Sequence, residues 1–193
     1  MRSRSQHRPG ALLTLLLGAR PPAGGHVGTD MSNPSNRNFD IAIVGAGPAG
    51  LAAGLYAGRN RMRTALFEAR APGGQLLNTE LIEDYPGQQS ILGGDLAAIM
   101  LEQALHFGAE LITGLVDAHL EHDSAGYYVT DPHTMMTNIP GIFAAGDVRS
   151  QLTRQITTAV GDATTATMAA MRWVEDTKRR VDVGTAEHAQ LVA

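Results

Sequence analysis

Three glycines spaced as Gly45-x-Gly47-x-x-Gly50 follow the apolar run Ile41-Ala42-Ile43-Val44, and Glu68 closes the next apolar run. This spacing suits a bound pyrophosphate. The first glycine permits a tight turn, the second lets the backbone approach the phosphates, and the third lets a helix pack closely on its strand. Pro48 and Ala49 open that helix, where a missing proline N–H costs nothing. The helix start offers unpaired N–H groups and a positive dipole end to the same anion. An acid about 20 residues further on is placed to accept hydrogen bonds from ribose hydroxyls, and Glu68, with Ala69 beside it, stands there. Taken alone, the constellation reads as a dinucleotide site without saying which dinucleotide.

Other chemistry is poorly supported. The 193 residues include no cysteine, which removes disulfides, thiolate metal sites and thiol catalysis. His119-x-x-His122 followed by Asp123 has the spacing of a metal pair, but in a polar loop without further ligands it reads as surface. A net charge of -4, with no basic run longer than Lys178-Arg179-Arg180, gives no footprint for nucleic acid. No apolar stretch approaches the ~18 residues needed to cross a bilayer.

The elements that would position the glycines alternate. Phe39 to Val44 reads as a buried strand, Pro48 to Arg59 as a helix, and Thr64 to Glu68 as a second strand. Pro72 to Leu76 and Tyr85-Pro86-Gly87 read as turns. Asp95 is expected to cap a helix that ends near Gly108, followed by strands at Ala109–Ile112 and Ile142–Ala145. Apolar residues at Ile156, Ala159, Val160, Ala163, Met168, Met171 and Val174 predict a last helix reaching about Arg179. This order predicts an α/β fold with a parallel sheet, and 44% hydrophobic residues supply a sizeable core. Met135, Met136 and the methionines near Met168 read as packing, as does Trp173.

A second motif narrows the dinucleotide. Thr137-Asn138-Ile139-Pro140-Gly141-Ile142-Phe143-Ala144-Ala145-Gly146-Asp147 resembles a flavin-binding segment of the flavoprotein disulfide reductases, and within them the low-molecular-weight thioredoxin reductases. Gly73-Gly74-Gln75-Leu76, Glu83-Asp84-Tyr85-Pro86-Gly87 and Arg154-Gln155-Ile156-Thr157 resemble further segments of that family in the family's order, between about Phe39 and Glu175. The resemblance implies a Rossmann-like FAD-binding domain over residues 39–180. It implies that Asp147, after Gly146, bonds the ribityl chain, and that Gln75, Gln155 and Ile156 border the flavin ring. Gly74, Leu76, Asp84 and Arg154 belong to the same contacting segments. A helix starting near Ile156 would turn its positive end toward the ring edge where charge accumulates on reduction. Asp84 stands where many family members carry asparagine, and either side chain can hydrogen-bond.

The resemblance also shows what is missing. Such reductases carry an inserted NADPH domain with its own glycine-rich turn and a Cys-x-x-Cys, and neither occurs here. Ala109-Glu110-Leu111-Ile112 resembles the end of the first flavin segment, while Thr113 to Asp131 resembles the run out of the NADPH domain. The apparent seam lies near residues 112–113, and the β-meander and one parallel strand of the flavin domain would be lost with the insert. The resulting expectation is a truncated FAD-binding domain, unable to reduce disulfides by itself. Two rivals are a minimal flavoprotein reduced by a diffusible donor or partner protein, and a non-catalytic dimerisation partner of a full-length homologue. A homodimer in the cytoplasm is expected, with open apolar sheet surface inviting association.

The ends read differently. Arg2, Arg4 and Arg8 precede Ala11-Leu12-Leu13-Thr14-Leu15-Leu16-Leu17, which imitates an export signal without a clean cleavage site after it. Residues 1–38 are therefore expected to be a disordered extension, with Met31 as an alternative start. Residues 181–193 are expected to be a flexible tail.

Overall fold

A computed structural model describes residues 14–17, 39–113 and 120–191. The glycine-rich unit forms as its sequence dictates. Strand β2 (Ile41–Val44) runs into the Gly45 turn, helix α1 (Pro48–Arg59) follows, and β3 (Thr64–Glu68) returns parallel to β2. Parallel β6 (Ala109–Thr113) adds on the far side of β3, with Thr64 to Glu68 in register with Ala109 to Thr113. Between them lie a 3-10 turn at Gly74–Asn78, a short antiparallel pair β4 (Leu81–Ile82) and β5 (Ile91–Leu92), and helix α2 (Gly93–His106). Strand β7 (Phe143–Ala144) and the long helix α3 (Ile156–Leu191) complete the unit.

Helix α1 packs against both α2 and α3. Small residues make this possible: Ala49, Gly50, Ala52, Ala53, Gly54, Ala57 and Gly58 are all buried. A Cβ on Gly58 would lie 2.5 Å from the Phe107 carbonyl oxygen, so α1 and the end of α2 meet backbone to backbone. From α3, Ala159, Ala163, Ala166, Ala170 and Val174 form a buried stripe at helical spacing. Met135 joins this core, and Trp173 packs at its margin.

Four expectations need correcting. Asp95 does not cap α2, which begins at Gly93 after Leu92 and holds Asp95 within its first turn. Helix α3, expected to reach about Arg179, runs on to Leu191. Within the stretch expected to be disordered, Thr14–Leu17 form strand β1. Finally, the gap left in the sheet is closed: the order is β6-β3-β2-β1-β7, with β1 antiparallel to both neighbours. Backbone pairing explains the last two, since an extended run between two strands satisfies donors and acceptors on both edges.

An ion-pair cluster fastens the end of this assembly. Asp40 accepts from Arg63 Nε at 3.1 Å, Nη2 at 3.1 Å and the backbone N–H at 3.0 Å, and from Lys178 Nζ of α3 at 2.9 Å. Burial pushes this carboxyl up, but the hydrogen bonds from Arg63 and Lys178 outweigh it and hold it well below the usual carboxylate range. A depressed folded-state pKa contributes stability above the unfolded value of about 4, and that stability is lost as pH falls below it. Asp40→Asn should therefore cost about 1–2 kcal/mol at pH 7, a figure reduced because both cations are exposed. In urea unfolding the two proteins should converge as pH drops below about 4, and a constant difference would refute the assignment.

Candidate functional site

The Gly45 turn is fixed from both sides. Gly45 has φ 95° and its N–H donates to the Phe67 carbonyl at 2.7 Å, while Gly73 N–H donates to the Ala46 carbonyl at 2.7 Å. Gly47 precedes α1 with φ -77° and ψ -177°, a conformation open to any residue, so its lack of a side chain leaves room rather than relieving strain. The first helical bond is Leu51 N–H to Gly47 carbonyl at 2.9 Å, and Gly47 provides no side-chain cap. The amide end of α1 is thus aimed outward.

Glu68 closes the turn from the neighbouring strand. Its Oε2 accepts from the Ala46 N–H at 2.8 Å and its Oε1 from the Arg70 N–H at 2.9 Å. Each carboxylate oxygen retains capacity for a second donor, such as a ribose hydroxyl.

The second motif forms a compact turn ahead of β7. Thr137 N–H donates to the Ile142 carbonyl at 2.8 Å, Gly141 takes φ 86°, and Ala144 N–H donates to the Met135 carbonyl at 3.0 Å. Gly146, at φ 79°, wedges between α1 and α3, where an added Cβ would lie 3.0 Å from that of Ala49 and 3.4 Å from that of Ala159. Its N–H donates to Asp162 Oδ2 of α3 at 3.2 Å, and Arg149 Nη1 reaches the same oxygen at 2.7 Å. Arg149 Nε donates to Thr130 Oγ1 at 2.8 Å, and Gln151 Nε2 donates to the Gly146 carbonyl at 3.0 Å. Asp147 is held by this frame. Its Oδ1 is buried and receives no hydrogen bond. Burial raises its pKa, nearby Arg154 lowers it, and Asp162 raises it, with a net upward shift.

These pieces enclose a cavity of about 360 Å³. Gly45, Gly47, Pro48, Ala49 and Gly50 of the first turn line it, together with Gln75, Leu76 and Asp84 and with Asp147, Arg154, Gln155 and Ile156. Glu68, Ala69, Gly74 and Gly146 do not line it, although Glu68 and Gly146 support turns that do. Ala145 of the second motif also lines the cavity, as do Thr79, Leu81, Ile82 and Ala159, which the sequence did not mark as site residues because they are small or apolar. Asp162 was missed too, although an acid beside the Ala159–Ala163 stripe of a helix demands a partner. Arg154, one of the lining residues, stacks over the Tyr127 ring, its Cζ 4.1 Å from the ring centroid. Thr158 Oγ1 accepts from the Gln155 N–H at 3.1 Å, which anchors the start of α3.

The other candidate cluster is used locally. Asp123 Oδ1 accepts from the N–H groups of Ala125 and Tyr127, and Oδ2 from Ser150 Oγ. His122 packs on Tyr128, while His119 lies outside the described residues.

Known proteins resemble this chain in the same regions. It is 49% identical to thioredoxin reductase of Bacillus subtilis over 76 residues, 39% of this chain and 24% of that protein. It is 50% identical to the Listeria monocytogenes thioredoxin reductase over the same length, again 24% of the relative. The chain thus matches about a quarter of the length of these curated relatives. The crystal structure of Lactococcus lactis thioredoxin reductase in its FR conformation superposes with a TM-score of 0.67 at 22% identity, covering 72% of this chain and 99% of that one, a likeness of fold. The pyridine nucleotide-disulphide oxidoreductase profile matches residues 39–117 and 105–163. On that match, which takes in both glycine turns and Asp147, the chain belongs to the pyridine nucleotide-disulphide oxidoreductase family.

Proposed function

We propose that the cavity binds FAD and that the chain is the FAD-binding part of a thioredoxin reductase-like flavoprotein, truncated and unable to reduce disulfides by itself. The observation that carries this reading is Asp147: a buried carboxylate oxygen without a donor belongs to a residue that lines the same cavity as a pyrophosphate-type glycine turn. A ligand that carries hydroxyl donors next to a pyrophosphate fits both. In this reading the α1 amino terminus holds the pyrophosphate, Glu68 the adenosine ribose and Asp147 the ribityl hydroxyls. Gln75, Asp84, Arg154, Gln155 and Ile156 border the ring, with Leu76 as apolar floor. Bound FAD would supply hydride-accepting chemistry. The chain itself offers no thiolate for disulfide exchange, because it contains no cysteine.

The profile match supports the truncation, since it comes in two stretches that meet over 105–117, across the seam at 112–113. A cytoplasmic location and association with a second flavin domain belong to the same proposal. Among the described residues no helix is long and apolar enough to cross a membrane.

The purified chain supplied with FAD should retain flavin absorbance through gel filtration yet consume no NADPH when thioredoxin is added. Flavin retention with NADPH consumption would replace this reading by a minimal flavoprotein, and no retention would remove the cofactor. Glu68→Ala should weaken FAD and ADP-ribose alike, by roughly tenfold, because one charged hydrogen bond is worth about 1.5 kcal/mol. Unaltered affinity for both ligands would take Glu68 out of the site.

A further inference from the structure

Strand β1 lies inside the sheet rather than at its margin. Leu15, Leu16 and Leu17 stand in register with Ile43, Ala42 and Ile41 of β2. Thr14 and Leu15 stand in register with Ala144 and Phe143 of β7. Strands β2 and β7 run the same way and are not neighbours, so β1 supplies the ladder between them. Each of these two strands ends in a turn of the site. β2 delivers Gly45-x-Gly47, and β7 delivers Ala145-Gly146-Asp147. Strands sit about 4.8 Å apart, so closing the gap without β1 would shift one turn relative to the other by roughly that distance. Leaving the gap open would expose unpaired backbone along both strands.

We infer that the space between β2 and β7 is a binding slot for one extended segment running antiparallel to both, and that the chain's own residues 14–17 are its occupant. The effect on cofactor rests on the FAD reading above, whereas the slot rests on the register alone. Leu17 stands opposite Ile41, the first residue of β2. Covalent attachment gives the segment a high effective concentration. Recognition is by main-chain hydrogen bonds, as in strand addition generally. A proline inside the segment would remove a ladder donor and be rejected.

The absence of cysteine makes a clean test possible. Residues paired across antiparallel strands have Cα atoms about 4.5–5.5 Å apart, within reach of a disulfide. The full chain carrying Leu16→Cys and Ala42→Cys should form an intramolecular disulfide on mild oxidation, read as an unchanged monomer mass and faster non-reducing migration. The oxidised form should bind FAD as tightly as the unaltered chain. Leu16→Pro should lower FAD affinity at least tenfold and speed amide exchange in residues 41–44 and 143–144 by a similar factor. A peptide of residues 10–20 should restore both, and Leu16→Val should need no rescue. Three outcomes would overturn the inference: no disulfide, a disulfide found only between two chains, or a proline variant whose losses the peptide cannot repair. If no form binds FAD but the disulfide and exchange results hold, the slot stands and the cofactor reading falls.

Discussion

Gly50→Ala is expected to abolish FAD binding and to destabilise the chain by about 3 kcal/mol or more, the upper end for forcing atoms into a packed interior. A Cβ at Gly50 would lie 1.8 Å from the Gly45 carbonyl oxygen and 2.9 Å from its carbon. Both belong to backbone that is itself tied down by the bond from Gly45 N–H to Phe67. Neither can yield without moving the turn. The effect should be steric and local, so Gly94→Ala makes a fair control: in the first turn of α2, nothing lies within 4 Å of its added Cβ. That replacement should leave stability unchanged or raise it by about 0.5 kcal/mol. Urea unfolding and FAD titration of both variants would check the pair, and equal behaviour would refute the packing argument.

Asp147→Ala is expected to separate binding from stability. A ribityl hydroxyl bonded to this carboxylate would contribute about 1.5–3 kcal/mol, so FAD affinity should fall roughly 10- to 100-fold. ADP-ribose, which lacks that part of FAD, should bind as before. Meanwhile the ligand-free protein should become no less stable, because the substitution removes a buried oxygen without a donor. The pH dependence has the opposite sign to that of Asp40. A carboxyl whose folded-state pKa is raised, here by burial first, adds relative stability below the unfolded value of about 4 and loses it as pH rises through the folded one. The variant should therefore gain most at neutral pH and nothing in acid. Equal losses for FAD and ADP-ribose would indicate general damage and remove Asp147 from the ribityl site.

Legibility in the sequence followed the locality of the cause. Helix α1 and strand β3 lie where the sequence places them, because Gly45, Pro48 and the β3 run carry their own signals within a few residues. Asp147, Gln75 and Gln155 reach one cavity although they are distant in sequence, and the order of the motifs was enough to group them. The start of α2 was misplaced because tertiary contact decides it: a side chain on Gly93 would sit 2.1 Å from the Leu76 carbonyl oxygen. An apolar run such as Thr14–Leu17 has no period that distinguishes a strand from a signal segment. Its partners, β2 and β7, are supplied by the fold and not by its neighbours in sequence. The Arg149–Asp162 pair was hidden for the same reason, since only packing of α3 on the second motif brings the two charges together.

The central claim is that these residues hold FAD, and isothermal titration of the full-length, ligand-free chain with FAD tests it most directly. Saturable binding at one FAD per chain, with a melting temperature that climbs with FAD concentration by mass action, is the expected result. A heat signal no larger than dilution, together with a melting temperature indifferent to FAD, would contradict it.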